Sequence, residues 1–249
     1  LLICLLAGSA VMYTLPLHAA TSVVANNALP TLPMVNGQIK DGYGFVTGGS
    51  NTNIVTDGLQ MNITQNNPNA VIKWGSFDVG GSATVNFKGP ESGYNTLNYV
   101  NAGGSMSQIY GTINANNNGN IFIVNPAGVQ IGNSAQINVG SLYVSNKTFS
   151  DDLLKTVNDT TVMNKFMKNG TANADAALMS LGNINANKVT FEGNGRIVID
   201  SERIKNENTN LTADEIFINT NDKNNVVIGY EAYENGSYAG VDKNEELAT

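Results

Sequence analysis

Residues 109–145 read IYGTINANNNGNIFIVNPAGVQIGNSAQINVGSLYVS. Short Ile- and Val-rich runs alternate there with clusters of Asn and Gly. β-Branched residues favour the pleated strand, whereas Asn and Gly accept the positive φ that tight turns require. The stretch therefore reads as a series of short strands joined by turns. The same texture extends in both directions. Strand-like segments fall at 71–79, 83–87, 109–113, 121–124, 129–131, 137–144, 184–191, 197–199, 216–218 and 226–228, with Asn and Gly between them.

The strands repeat. GTINAN at 111–116 recurs as GNINAN at 182–187. Ile113 lines up with Ile137, and Ile184 with Ile204, at spacings of 20 to 24 residues. That is the length of one solenoid coil. A single coil cannot bury its apolar side chains, but stacked coils share one core. Asn at equivalent positions of successive coils can stack into side-chain amide ladders.

Composition narrows the chemistry. The 249 residues include 39 Asn and 26 Gly, with one cysteine and one histidine. Cys4 and His18 both lie in the first 18 residues. Downstream there is no thiol or imidazole for a disulfide framework, a Cys/His zinc site, or a Cys–His or Ser-His-Asp nucleophile. No metal site and no cofactor is expected. Thirteen Lys and Arg stand against 20 Asp and Glu, a net charge of −7, with no basic stripe. Nucleic acid is not an expected partner, because phosphate binding needs clustered cations.

Residues 1–20 contain no Asp, Glu, Lys or Arg and end in His18-Ala19-Ala20. An apolar run closing on small residues reads as a secretory signal, here lacking its Met and basic start, so the exported chain is expected to begin near Thr21. Residues 21–249 then form one elongated β unit, opened by a looser stretch with Pro30 and Pro33 and expected to continue into further coils. Ending a solenoid at Thr249 would leave an open edge prone to association. One segment departs from the pattern. Residues 150–170 read helically: Ser150 can cap, Asp151 and Asp152 suit the positive N-terminal end, Lys165 and Lys168 suit the other, and Gly170 can terminate. Leu153, Leu154, Val157, Met163, Phe166 and Met167 give it a partial apolar face. A short helical excursion packed on the flank of the solenoid is expected.

Two Asn-Pro turns carry the functional reading. Asn67-Pro68-Asn69-Ala70 precedes the strand that contains Trp74, within NNPNAVIKWGSFDVGGSATVNF (66–87). Asn125-Pro126-Ala127-Gly128 follows the strand at 121–124. In each, Asn accepts from nearby backbone and Pro presets φ at i+1; Gly128 at i+3 suits a type I turn. Taken together with their spacing, these segments resemble the two-partner secretion domain, the haemagglutination-activity domain at the start of filamentous haemagglutinin-like exoproteins, which include large adhesins and cytolysins of Gram-negative bacteria. The order matches over roughly residues 35–230: signal segment, NPN turn, W-x-S-F-x-[IV], G-x-I-x-A, NPxG turn, I-N-V-G-x-L.

The resemblance implies a right-handed parallel β-helix with small extra-helical strands and no enzymatic activity. It implies recognition in the periplasm by the POTRA domains of an Omp85-type outer-membrane transporter, export to the cell surface or medium, and folding outside that nucleates the coils that follow. Host surfaces or matrix would be met by downstream regions. By motif position, Asn67, Pro68, Asn69, Asn125, Pro126 and Gly128 are the transporter-recognition turns, with Trp74, Ser76 and Phe77 in the adjoining strand. The pattern is not followed everywhere: Ala70 stands where the family usually has Leu or Gly, Ala127 replaces an Asn, and Gly75 and Asp78 replace the two Asn of W-N-S-F-N. Two rival readings are direct adhesion by this segment and a β-helical polysaccharide-degrading enzyme using Asp200 and Glu202, with Asp214 and Glu215 as further acids. The Asn-x-Ser/Thr triplets, such as Asn62-Ile63-Thr64, are assigned no role.

Overall fold

The computed structural model describes residues 23–49, 52–101, 103–156, 171–172, 178–180, 183–186, 188–192, 196–200, 204–205, 209–212 and 215–219. The expected signal segment, the strand at 226–228, and Lys165, Lys168 and Gly170 lie outside them.

The chain visits three sheets in turn. A first coil runs through Gln60–Thr64 on sheet 1, Asn69–Trp74 on sheet 2 and a bridge at Val79 on sheet 3. The next runs through Thr84–Lys88, Asn95–Val100 and Ser107–Ile109, and the next through Thr112–Ala115, Asn120–Val124 and Val129–Ile131. Gln136–Asn138, Ser141–Ser145 and Leu178–Ser180 follow. Asn183–Asn185, Lys188–Glu192 and Arg196–Asp200, then Ile204–Lys205, Thr209–Thr212 and Glu215–Asn219, complete the described coils. Pairing from coil to coil is parallel throughout. The fold is a parallel β-solenoid, as expected.

The expected register holds. Met61, Val85, Ile113, Ile137, Ile184 and Ile204 stand opposite one another along sheet 1. Inward positions of all three sheets fill one interior with Ile63, Trp74, Phe77, Val79, Phe87, Ile121, Ile131 and Val144, among others. Each fully buried Val, Ile or Phe contributes about 1.5–3 kcal/mol, so stacking a coil, rather than forming a strand, is what stabilises it.

Strand boundaries differ from the sequence reading in one systematic way. The segments at 109–113, 137–144 and 184–191 are each two strands on different sheets, split at 110–111, at 139–140 and between Asn185 and Lys188. A two-residue corner leaves the alternation of apolar residues almost undisturbed, so periodicity does not reveal it. Gly111 marks one such corner: a Cβ there would lie 2.2 Å from the Gly80 carbonyl oxygen of the preceding coil. The strand Asn95–Val100 was not anticipated, because NTLNYV lacks an apolar run although every residue of it is buried.

Three N-terminal pieces close the starting edge of the solenoid, one per sheet. Asn53–Asp57 pairs antiparallel with Gln60–Thr64 on sheet 1, and Gly44–Thr47 pairs antiparallel with Asn69–Trp74 on sheet 2. Residues 24–31 run along sheet 3. There Val24 N–H donates to Gln108 Oε1 (3.1 Å), Gly80 N–H to Ala28 O (2.9 Å) and Thr31 N–H to Ser76 O (3.0 Å). The cap satisfies edge groups that would otherwise template another chain.

The excursion begins as expected. Ser150 Oγ accepts from Leu153 N–H (3.3 Å) and caps a helix, Asp151–Leu154. Its base is an extra-helical ladder, Lys147–Thr148 antiparallel to Thr171–Ala172. It packs on the outer face of sheet 2, where Phe149 and Leu154 join Val71, Leu97, Tyr99 and Val124 in a second apolar cluster. Tyr99 Oη lies 3.3 Å from both Phe149 N and Phe149 O, and burial pushes its pKa up, keeping the hydroxyl a donor. Lys73, buried, reaches Asp151 at 2.6 Å and lies 5.0 Å from the centre of the Tyr43 ring. Covered on both sides, Asn69–Trp74 and Asn95–Val100 are buried at every position.

Candidate recognition turns at the solenoid corners

The NPN turn joins sheet 1 to sheet 2 in the first coil. Pro68 is exposed and Asn67 half-buried. Asn67 Nδ2 donates to the Gly48 carbonyl (2.9 Å), and the Pro68 carbonyl accepts from Asn95 N–H of the next coil (2.7 Å). Beneath the turn, the buried Gln65 side chain donates to Asn67 O (2.8 Å) and Asn95 O (3.2 Å) and accepts from the Thr96 hydroxyl. Asn69 is buried and heads an amide ladder: Asn95 Nδ2 donates to Asn69 Oδ1 (2.7 Å) and Asn120 Nδ2 to Asn95 Oδ1 (3.0 Å). The turn is thus tied to the cap on one side and to the following coil on the other.

Gly48 is the residue of the cap that permits this contact. Its φ of +70° belongs to the left-handed region, and a Cβ would stand 2.2 Å from Asn69 O. Trp74 and Phe77 point inward, fully buried, with rings edge-on at 5.8 Å. Trp74 Nε1–H donates to Asn98 Oδ1 (3.0 Å), a buried acceptor on the next coil. The hydroxyls of Ser76 and Thr31 lie 2.7 Å apart, fastening the cap to sheet 3. Asp78 Oδ1 accepts from Gln108 N–H (2.8 Å). Burial raises its pKa above the ordinary carboxylate value, an effect partly offset by the bonds from Gln108 N–H and the Ser76 hydroxyl.

The second turn, at Asn125–Gly128, joins sheet 2 to sheet 3. Asn125 is fully buried. Its Nδ2 donates to Ser105 O (2.9 Å) and Ser107 Oγ (3.0 Å), and its Oδ1 accepts from Ala127 N–H (2.9 Å). Gly128 N–H donates to Asn125 O (2.8 Å), closing the β-turn. Pro126 and Gly128 are buried, and Ala127 is half-buried.

The two turns are not brought together. The NPN turn enters a sheet-2 strand and the other leaves one, so they sit at different corners, on coils separated by the Asn95–Val100 strand. Of the nine singled-out residues, Trp74, Phe77, Asn69, Asn125, Pro126 and Gly128 are internal. Sequence reasoning did not find Gly48, Gln65, Asn98 or Thr31. Each acts through a contact with another coil or with the cap, and none sits in a local pattern that marks it. Of the acids considered for catalysis, Asp200 ends the strand Arg196–Asp200 and Glu215 begins Glu215–Asn219; Glu202 and Asp214 lie outside the described residues.

A capped parallel β-solenoid with Asn-Pro turns at its corners places the chain in the class of parallel β-helical domains. The chain matches the family model of the TPS (two-partner) secretion domain over residues 44–247, and it belongs to that family. The family is one of secretion domains of exoproteins rather than of enzymes, and such exoproteins of Gram-negative bacteria are secreted or exposed at the cell surface. Among curated proteins the chain is similar to two heme/hemopexin-binding proteins of Haemophilus influenzae. One is 41% identical over 95 residues, 38% of this chain and 10% of the relative. The other is 40% identical over 88 residues, 35% of this chain and 9% of the relative. The matched region is thus about a tenth of the length of these relatives. Among solved structures, the HMW1 secretion domain from Haemophilus influenzae aligns with a TM-score of 0.48 at 19% identity, covering 73% of this chain and 59% of that one.

Proposed function

We propose that this chain is the N-terminal secretion domain of a larger exoprotein, recognised in the periplasm by the POTRA domains of an Omp85-type transporter and folding outside the cell. The carrying observation is the family match over residues 44–247 together with the ordered pair of Asn-Pro turns. The chain downstream of the signal segment has no cysteine, so periplasmic oxidation cannot lock it before it crosses a narrow pore. Outside, each coil buries apolar surface against the one before, which opposes return.

The recognition elements in this reading are Asn67, Pro68 and Asn69, with Asn125, Pro126 and Gly128, and the adjoining Trp74, Ser76 and Phe77. The transporter meets them in an unfolded chain, so residues that are internal after folding are accessible beforehand. The test is export in cells carrying the cognate transporter, with Pro68→Ala and Asn67→Ala compared against an exposed control, Val55→Thr. Loss of exported protein for the first two alone, with the chain accumulating in the periplasm, supports the reading. Normal export of both removes it.

A further inference from the structure

The three sheets differ in what their outer faces carry. Sheet 2 lies under the apolar side chains of the excursion. Sheet 1 instead presents half-buried or exposed polar side chains in rows set by the register: Gln60, Thr84, Thr112 and Gln136 in one, Asn62, Asn86, Asn114 and Asn138 in the next. Over these four coils neither row holds a charge or an aromatic ring; the Asn row continues through Asn185 to Lys205. In the second row the Nδ2 groups of Asn86, Asn114 and Asn138 each donate to the Oδ1 of the preceding coil, at 3.4, 3.1 and 3.1 Å. Asn86 and Asn114 are each held in the row through one N–H and one lone pair, leaving a second N–H and lone pair for a ligand. The array repeats at the inter-strand spacing of about 4.8 Å.

Beside these rows, at the corner between sheets 1 and 2, is a cleft of about 370 Å³. Thr64, Asn66, Lys88, Pro90, Glu91 and Asn117 are among its walls. Thr64 and Lys88 are themselves opposed last residues of sheet-1 strands, so cleft and face are continuous. The far wall is fixed: Asn117 Nδ2 donates to Gly89 O (2.9 Å), and Asn116 Oδ1 accepts from Gly89 N–H (3.1 Å) and Tyr94 Oη–H (3.2 Å). Lys88 and Glu91 enter no ion pair among the described residues, and their charges cancel. The cleft thus offers a cation, a carboxylate and amides to hydroxyl groups, and a proline ring to a C–H face. It has no apolar pocket for a peptide side chain and no net charge for a polyanion.

We propose that this cleft and the adjoining Asn row form a binding site for a neutral glycan, with one sugar ring between Lys88 and Glu91 and the chain lying over Asn86 and Asn114. The site is independent of the secretion reading, since it concerns the folded domain after export. The test is amide NMR of the full chain titrated with neutral hexasaccharides of glucose, mannose, galactose and N-acetylglucosamine, with a heparin hexasaccharide for comparison. Saturable shifts at Lys88, Glu91 and the side-chain amides of Asn86, Asn114 and Asn117 are expected with at least one neutral glycan. Lys88→Ala combined with Glu91→Gln, both exposed, should weaken that binding about tenfold with no change in melting temperature. The proposal is overturned if millimolar concentrations of all four leave these signals unmoved, if heparin binds as tightly, if the shifts fall elsewhere, or if the double variant binds unchanged.

Discussion

Asn67 and Asn125 occupy the same place in two sequence motifs, yet their surroundings separate their roles. Asn125 is fully buried and satisfies Ser105, Ser107 and Ala127. Asn125→Ala would leave those groups unpaired and should cost roughly 2–4 kcal/mol, read as a shift in the urea midpoint. Pro68 is exposed, so Pro68→Ala should move the same midpoint by under about 1 kcal/mol, and any loss of export it causes then belongs to recognition. Asp78 allows a pH test. Its raised pKa means the folded state holds the proton more tightly than the unfolded state. Its contribution to stability is therefore greatest at low pH and is lost as pH rises above the ordinary value of 3.8 through the folded-state value. Asp78→Asn should flatten the fall in stability over that window, measured by denaturation at a series of pH values. An unchanged slope would mean that ionised Asp78 is not strained by its burial.

At the scale of the element, the cap strand Gly44–Thr47 and the excursion are both held on sheet 2, the first at its edge and the second on its outer face. Gly48→Ala combines an unfavourable φ with a Cβ 2.2 Å from Asn69 O. It should cost about 2 kcal/mol or more and raise hydrogen exchange in Gly44–Thr47 before exchange in Thr112–Ala115. Equal exchange in both would show that the cap is not a separate unit. Phe149 anchors the excursion on Tyr99, with the rings edge-on at 6.0 Å. Phe149→Ala should destabilise by about 3–5 kcal/mol, and it should expose the outer face of sheet 2 to a hydrophobic dye while leaving the inner core intact.

Over the whole molecule, the three cap pieces and the parallel stacking make the solenoid directional. The starting edge is closed on every sheet, so the described coils add in one sense only. A chain beginning at Met34 lacks the strap that bonds Gln108, Gly80 and Ser76 and should expose the starting edge of sheet 3. An open strand edge pairs with another. Sedimentation should then show stronger concentration-dependent association than for the chain retaining residues 23–33. Equal association of both would mean that the strap is dispensable as an edge cover.

Much of this was legible from residue order alone. The spacing of 20 to 24 residues placed Ile113 opposite Ile137 and Ile184 opposite Ile204, the pairs that the sheet-1 register makes. The abundance of Asn anticipated amide ladders, and among the described residues two run from coil to coil, headed by Asn62 and Asn69. These features are periodic, and a period is a property of the chain itself. The corners inside 109–113 and 137–144, the buried strand Asn95–Val100, and the dependence of the NPN turn on Gly48 and Gln65 had no such signal. Each is decided by which atoms of another coil or of the cap lie within van der Waals or hydrogen-bond reach. Residue order alone specifies a repeating solenoid and the family to which the chain belongs. Which Asn are structural and which meet solvent is set in the folded molecule, because burial depends on neighbours brought together by stacking.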